Sequence, residues 1–258
     1  QAFLDSGLAR YGAMRNLPSG RTTSRLSQDL RFGLISIREL HRATLDKMET
    51  LDAAGRDSAA TYVSELVWRE FYMQVLWNFP AVLEEEFNVK YRGMVWPGKR
   101  ENFQRWCDGQ TGFPIVDAAM RELRETGFMH NRTRMIAAMF LTKDLHLDWR
   151  MGEMWFMQTL ADGEIASNNG GWQWSAGTGA DAAPYFRIQN PWSQSKRFDP
   201  DGVYIKTWVP ELRNVDSSKF MDPPAPGMRL APGYPSPIVD HSAARDITLD
   251  LFKVAAAR

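Results

Sequence analysis

The sequence predicts an all-α fold built as a single multi-helix domain. Apolar residues recur at helical spacing through most of the chain, and strand-like alternation is scarce. Proline, glycine and hydroxyl-bearing residues collect in a few short segments between the periodic runs. There is no internal repeat, no low-complexity tract and no glycine fingerprint of a dinucleotide-binding α/β fold.

The elements follow in chain order. Ser36-Ile37-Arg38-Glu39 reads as a capping box that opens a helix running to about Met48. Asp57 to Phe79 reads as a strong amphipathic helix, with Val63, Leu66, Val67, Phe71 and Val75 on one stripe and Pro80 after its end. Shorter helices are predicted over Glu101–Trp106, Ile115–Glu125, His130–Leu145, Gly152–Leu160 and Ile205–Leu212. Ser19–Ser27 and Asp162–Gly179 read as turn-rich interruptions. Residues 222–237 carry six prolines and two glycines, which predicts an irregular wrap.

Composition narrows the function. A chain of 258 residues, 44% hydrophobic and 24% charged, can bury a substantial core. No apolar run approaches the roughly 20 residues that span a bilayer, so no membrane partner is expected. The single cysteine, Cys107, excludes a disulfide framework and a cysteine metal cluster, and it favours a reducing compartment. The four histidines show no metal-ligand spacing, so no metal is expected. Thirty-one basic side chains balance thirty-one acidic ones, so a nucleic acid would have to be met by a local patch. Ten tryptophans are enough to ask whether some do chemistry. Nothing suggests an obligate oligomer, and a monomer is expected.

Four segments combine residues that chemistry needs. Thr22-Thr23-Ser24-Arg25-Leu26-Ser27 places hydroxyls and a guanidinium before a helix-like run, a pattern that suits a phosphate and equally suits ordinary N-capping. Glu65, Trp68 and Arg69 share a helix face: either the carboxylate meets a flat ligand stacked on the indole, or Glu65 pairs with Arg69 and Trp68 is core. His130-Asn131-Arg132-Thr133-Arg134-Met135 sends two arginines to different sides of a helix, for a phosphate and an internal partner, or else forms a solvated first turn. In Asp162–Trp174, two asparagines and two glycines allow tight turns and close backbone approach, and Trp172 and Trp174 follow at once.

Read in order, several segments identify a resemblance: YGAMRNLPSGRTTSRLS (11–27), ELVWREFY (65–72), GFPIVDAAM (112–120), MHNRTRM (129–135), residues 143–150, and DGEIASNNGGWQWSAGTGADAAPYFRIQNP (162–191). The chain resembles class I photolyases of the photolyase/cryptochrome superfamily over nearly its whole length. The resemblance implies one helical FAD-binding catalytic domain over residues 1–258. It implies light-driven repair of cyclobutane pyrimidine dimers in DNA, by electron transfer from reduced FAD to a dimer flipped out of the duplex. The alternative is a cryptochrome-type photoreceptor with little or no repair.

The implied roles are specific. Tyr11, Thr23, Ser24, Arg25, Leu26 and Ser27 fall on the positions that hold the FAD phosphates and ribityl chain. Arg69, Arg134, Asp162, Glu164 and Asn168 fall around the flavin, with Arg134 and Asp162 as an ion pair and Asn168 facing N5. Asn131 also falls beside the flavin and counts with the lesion-contacting residues. Glu65 matches the carboxylate that bonds the dimer. Trp68 and Trp174 match the walls of its pocket, with Met135 at the edge, and Arg132 and Arg187 match groups near DNA phosphates. Trp172, Trp149 and Trp96 match a route that carries an electron from the surface to photo-oxidised flavin.

Subtype is implied as well. Six-four photolyases place histidines where this chain has Asn131 and Met135. Plant-type cryptochromes place an acid at Asn168, and the single-strand-preferring type places tyrosine at Trp174. All three comparisons point to dimer repair in duplex DNA. Glu164 in place of Asp, Phe128 in place of Trp and Tyr62 in place of Trp depart from the pattern. The chain begins at Gln1, and the N-terminal α/β antenna domain of the family has no counterpart in it. No antenna pigment is therefore expected here, and a bacterial-type cytoplasmic, nucleoid-associated location is implied.

Overall fold

The computed structural model describes residues 1–20, 22–180 and 187–257. Arg21 and residues 181–186, which belong to two of the segments quoted above, lie outside the described residues. Helices and turns account for the described chain with no strand, so the all-α reading holds. In order, the helices are α1 (Tyr11–Met14), α2 (Ser27–Arg31), α3 (Ile37–Glu49), α4 (Ala53–Asn78), α5 (Arg100–Cys107), α6 (Pro114–Thr126), α7 (Asn131–Met139), α8 (Trp149–Thr159), α9 (Ile165–Ala176), α10 (Pro191–Phe198), α11 (Val203–Trp208) and α12 (His241–Ala256).

The starts follow capping chemistry. Ser36, Asp52, Asp148, Glu164, Asn190 and Asp240 each accept a backbone N–H of the following turn, which satisfies donors that no carbonyl reaches. Because Asp52 and Asp148 do this, α4 and α8 begin several residues before the apolar periodicity alone suggests. Pro210 has no N–H to donate, so the helix expected over Ile205–Leu212 breaks there, and α11 ends at Trp208. The helix expected over His130–Leu145 splits. His130 caps it, and beyond Met139 the turn widens, with Leu145 N–H donating to Phe140 O at 3.0 Å. Helices α2, α10 and α12 fall in segments that periodicity left unassigned.

Two corrections concern the core. In α4 the buried line is Gly55, Ser58, Ala59, Tyr62 and Leu66, whereas Val67 and Phe71 of the predicted stripe are exposed. The helix meets α1 and α3 along its first half and α9 along its second, so no single stripe runs its length. The second correction is larger. Asp162–Gly179 is mostly helical, as α9. Both carboxylate oxygens of Glu164 cap its first turn, and Gly177 in the left-handed region ends it. Within it, Gly170 serves close helix packing and not a turn.

The main core lies among α5 to α11, around the fully buried Trp106, Phe113, Phe140, Trp149 and Trp172. A smaller core joins the N-terminal turns to α3 and α4. The 222–237 wrap is irregular, as its prolines predict, and it is pinned by buried Asp117. That carboxylate accepts from Thr111 N (2.7 Å), Thr111 Oγ1 (2.6 Å), Gly112 N (3.0 Å) and the Tyr234 hydroxyl (2.5 Å). Helix α12 is tied to the 140–144 turn by His241 Nδ1 against Asp144 Oδ1 (2.6 Å) and by Thr248 Oγ1 donating to Lys143 O (2.6 Å). Lys143 Nζ donates to Ala176 O and lies 3.9 Å from the Phe252 ring centroid, so α9 and α12 share one anchor.

At Gly152 of α8 a β-carbon would run into the Trp172 ring, with the Leu141 side chain 2.7 Å away on another side. Gly152→Ala is expected to lower the unfolding free energy by about 1–3 kcal/mol, because overpacking outweighs the roughly 1 kcal/mol that alanine gains over glycine in a helix. Urea denaturation checks this, and a midpoint at or above wild type would contradict the packing described.

Candidate functional site

Many of the residues singled out from the sequence lie on four helices, of which α1 packs on α4, α4 on α9 and α9 on α7. The crossing of α1 and α4 is tight: Gly12 N–H donates to Ser58 Oγ at 2.8 Å, and Ser58 Oγ donates to Leu8 O at 2.7 Å. Just beyond it, Arg15 Nη1 lies 2.7 Å from Glu65 Oε1. Glu65 therefore pairs neither with Arg69 nor with open solvent alone. Arg69 turns to Glu70 (3.1 Å); the Glu164 carboxyl is held below its usual range, against its burial, by hydrogen bonds from Ala166 and Ser167, to which the Arg69 charge adds. Trp68 is 48% exposed and packs edge-on against Phe71 (5.3 Å), which leaves a broad aromatic surface beside Glu65. The reading of Trp68 as core does not hold.

On α7 the two arginines do point apart. Arg134 Nη2 reaches both oxygens of Asp162, at 3.0 and 2.8 Å, while its Nε donates to Met129 O at 2.7 Å. Burial alone would raise the Asp162 carboxyl, but the Arg134 charge and hydrogen bonds, one of them from Ser27, outweigh it and lower it. This is the ion pair that the resemblance implied. Arg132 donates to Asn16 Oδ1 at 3.2 and 2.7 Å, lies 4.5 Å from the Phe198 ring centroid and brings a nitrogen to 3.6 Å from Met135 Sδ. It is half-buried and tied to the residues after α1, so it meets solvent with only part of its guanidinium. Asn131 is exposed at the start of the same helix.

His130 governs that start. Its Nδ1 accepts the Arg132 N–H at 3.2 Å, while Nε2 is buried and without a hydrogen-bond partner among the described residues. Burial, reinforced by Arg134, Arg132 and Arg15, pushes its pKa down to about 4. The first turn is thus solvated only on the side of Asn131, while His130 and Thr133 are buried.

The 22–27 loop faces the same space. Leu26 carries no side-chain cap for α2, so the plain N-capping reading fails. Ser24 Oγ instead meets Leu26 N at 3.4 Å and lies in hydrogen-bonding reach of the Tyr62 hydroxyl. Tyr62 stacks edge-on with buried Tyr11 at 5.1 Å. Arg25 is exposed in the left-handed region, φ 54°, an unusual backbone for a non-glycine residue, and sits 4.2 Å from the Phe128 ring centroid. Thr23 and Leu26 are half-buried in this loop.

Helix α9 shows three different faces. Gly170 is so close to Tyr72 of α4 that a β-carbon would enter the ring. Trp172 faces α8 and packs against Phe156 (4.9 Å) and Trp106 (6.1 Å). On the third face, Asn168, Gly171 and Trp174 follow at spacings of three. A β-carbon on Gly171 would meet nothing within 4 Å, although the residue is half-buried. Asn168 Nδ2 donates to Glu153 O at 3.0 Å, which fixes its amide at the edge of that space. Arg187 lies 5.4 Å from the Trp174 ring centroid. Glu164, expected to touch a cofactor, spends both oxygens on Ala166 N (3.0 Å), Ser167 N (2.9 Å) and Ser167 Oγ (2.8 Å).

The remaining tryptophans lie on the other side of α9. Trp149 is fully buried and begins the helix whose Gly152 abuts Trp172. Trp96 packs on the edge of the same core, near Gly98, whose N–H donates to His146 O at 2.9 Å. Sequence reasoning missed Arg15, Asn16 and the open position at Gly171. Arg15 follows Tyr11 by one helical turn, a spacing that signals a shared face. No signal in the sequence separated Gly171 from Gly170.

A model of the FAD binding domain of DNA photolyase matches residues 62–254. The deoxyribodipyrimidine photo-lyase of Vibrio cholerae is 46% identical over 95% of this chain and 52% of its own length. The crystal structure of a class III photolyase from Agrobacterium tumefaciens superimposes with a TM-score of 0.91 at 40% identity, over 99% of this chain and 54% of that one. A Synechocystis cryptochrome superimposes with a TM-score of 0.86 at 33% identity, over 97% and 54%. The chain thus spans about half the length of the relatives it matches.

The neutral His130 cap carries a pH signature. Its folded pKa lies below the unfolded value, so its contribution to stability is full above about pH 6.5 and is lost as pH falls towards 4. His130→Asn keeps a capping acceptor without a titration. Relative to this variant, the wild type is expected to lose roughly 2–3 kcal/mol of unfolding free energy between pH 7 and 4, at 1.36 kcal/mol per pKa unit. Parallel pH profiles in urea denaturation would contradict the assignment.

Proposed function

Because the chain belongs to the family of FAD-binding domains of DNA photolyases, we propose that it is the catalytic part of an enzyme that splits cyclobutane pyrimidine dimers in DNA with light, using FAD as its resident cofactor. The observation that carries the reading is the open face of α9. Gly171 is half-buried yet has open space where a β-carbon would stand, one helical turn after Asn168, and the chain also holds the Arg134–Asp162 pair and the exposed Trp68 indole. A flat conjugated ring needs such a face, where backbone can approach closely and no side chain fills the gap.

The residues fit FAD by chemistry as well as by position. Ser24, Ser27 and Arg25 offer hydroxyls and a cation for phosphate oxygens. Asn168 and the Arg134–Asp162 pair offer donors, acceptors and a balanced charge pair at the ring. When bound in its reduced form and excited by light, FAD supplies the electron that opens the dimer. Glu65, held by Arg15, presents its second oxygen to a base edge. Trp68 and Trp174 give stacking walls, and Met135 adapts to the lesion edge. Arg132 and Arg187 supply positive charge near the backbone of the flipped strand. Flipping costs only a few kcal/mol at a damaged step, the handicap that photolyases among other base flippers exploit. Trp172, Trp149 and Trp96 would form the route by which an electron from outside reaches oxidised flavin on illumination.

Gly171→Ala tests the cradle. Alanine is expected to stabilise the flavin-free chain by up to about 1 kcal/mol through helix propensity, and to weaken FAD retention at least about tenfold through steric overlap. Unchanged FAD affinity would remove Gly171 from the site. The activity itself is tested with a dimer-containing duplex. The protein with reduced FAD is expected to remove dimers in light and not in darkness. Trp68→Ala is expected to weaken damaged-DNA binding by about 1–3 kcal/mol, the worth of one base–aromatic stack. No dimer loss under illumination would sink the repair reading and leave photoreception as the role of the fold.

A further inference from the structure

The three indoles of the route differ in one respect that the route alone does not require. Among the described residues, Nε1 of Trp96 and Nε1 of Trp172 are buried without a hydrogen-bond partner. The middle indole, Trp149, donates its Nε1–H to Glu86 Oε1 at 3.2 Å. Glu86 is only 3% exposed and Trp149 is fully buried. An acidic side chain is rarely hidden to this extent unless something holds it there.

What holds it is a set of contacts that reaches α9. Arg150 Nη2 lies 3.0 Å from the same Oε1, and the same guanidinium is fixed by Glu84 O (2.8 and 2.6 Å) and by Asp148 Oδ1 (3.1 Å). The Glu86 backbone is fixed by Arg92 Nε, which donates to its carbonyl at 3.1 Å. On its other side, Gln173 Oε1 accepts the Phe87 N–H at 2.8 Å, while Gln173 Nε2 donates to Val82 O (2.8 Å) and Glu85 O (3.1 Å). Gln173 directly follows Trp172. The residue beside one indole therefore positions the carboxylate that serves the next.

We propose that Glu86 is the charge partner of Trp149, stabilising the positive charge left on this indole when it gives up an electron. The proposal rests on the tryptophan route above. The step balances as follows. Trp149 passes one electron to oxidised Trp172, and Trp172 becomes neutral. The charge remains on the Trp149 indole, whose Nε1 proton becomes strongly acidic and is shared with Glu86 Oε1. An electron from Trp96, replaced from an external thiol reductant, restores the indole, and the proton settles back on Nε1. Arg150 lies 4.5 Å from the Trp149 ring centroid and opposes charge on the ring, so the carboxylate at the N–H has both to anchor Arg150 and to offset it. Trp172, with no acceptor at Nε1 among the described residues, gains no such stabilisation. The hydrogen-bond difference thus favours the hole moving outward, from Trp172 to Trp149.

The test compares Glu86→Gln, Glu86→Asp and Trp149→Phe in the full chain loaded with FAD. Light-driven reduction of oxidised flavin by a thiol is the first readout. Transient absorption of indole radicals is the second. Ultraviolet resonance Raman of the indole N–H mode in flavin-free protein is the third. Glu86→Gln is expected to slow photoreduction about tenfold, which corresponds to about 1.36 kcal/mol, and to shorten the life of the Trp149 radical. Its Raman band should shift in Glu86→Gln and vanish in Trp149→Phe. Glu86→Asp keeps the charge and loses reach, and is expected to photoreduce faster than Glu86→Gln. A purely structural role predicts the reverse order, since Gln is isosteric and Asp is not. Wild-type photoreduction in Glu86→Gln, with Trp149→Phe blocked, overturns this inference and spares the route. Normal photoreduction in Trp149→Phe overturns the route itself.

Discussion

Helix α9 has to touch α4 and α8 at van der Waals distance while leaving its third face empty, and the rest of the fold is arranged around that demand. Two glycines make it possible. Gly170 admits Tyr72 from α4, and Gly152 on α8 admits the Trp172 ring. Any larger residue at either place would push a helix outward and carry Asn168 or Trp172 with it. The helix is built in spite of its glycines, which cost about 1 kcal/mol each in a helix interior. Glu164 offsets part of this by capping the first turn with both oxygens, and Gln173 and Asn169 tie the helix to Val82 O. Lys143 then anchors its C-terminal end through Ala176 O.

Charge is distributed around the same helix with little waste. Arg15, Arg132 and Arg134 all lie near enough to His130 for their charges to act on it, and each has a defined partner: Glu65, Asn16 and Asp162. In their midst sits a histidine that stays neutral, because a fourth cation would be both desolvated and repelled. The neutral ring keeps Nδ1 as an acceptor, and the acceptor starts α7, the helix that carries two of the three arginines. Capping and site electrostatics are thus one device. The Arg15–Glu65 pair is partly solvated, so its value lies in aiming the carboxylate more than in stability.

The all-α class was legible, and so were most ends of the seven helices read from the sequence, because capping residues and apolar spacing are local signals; α1, α2, α9, α10 and α12 were not. Ser36 and the Pro-rich 222–237 wrap are examples. The failures share one cause. In Asp162–Gly179 the local chemistry of Asn and Gly favours turns, and tertiary packing at Tyr72 overrides it. In α4 the apolar stripe was read from sequence as one face, yet the helix changes neighbours halfway, so Val67 and Phe71 end on the surface. The site was legible where an ordered set of segments carried it, as at Arg134 and Asp162. It was illegible where a contact joins distant segments without a pattern, as at Arg15 with Glu65 or Glu86 with Trp149.

The tryptophans show how far packing and chemistry can be told apart by hydrogen bonding. Trp106 donates to Ala137 O at 3.1 Å and stacks on Phe103 and Phe156, the arrangement of an indole that fills a core. Among the described residues Trp96 and Trp172 leave their N–H groups unpaired, at a cost of about 1–3 kcal/mol each for a buried donor. Trp149 receives a carboxylate, which itself has to be kept from water by Arg150. A core built for stability alone would do better with satisfied or absent polar atoms at Trp96 and Trp172, and without a buried carboxylate at Trp149. In the proposed function these costs have a use: the indoles exchange electrons, and the open Asn168–Gly171 face of α9 is where a flavin ring would lie.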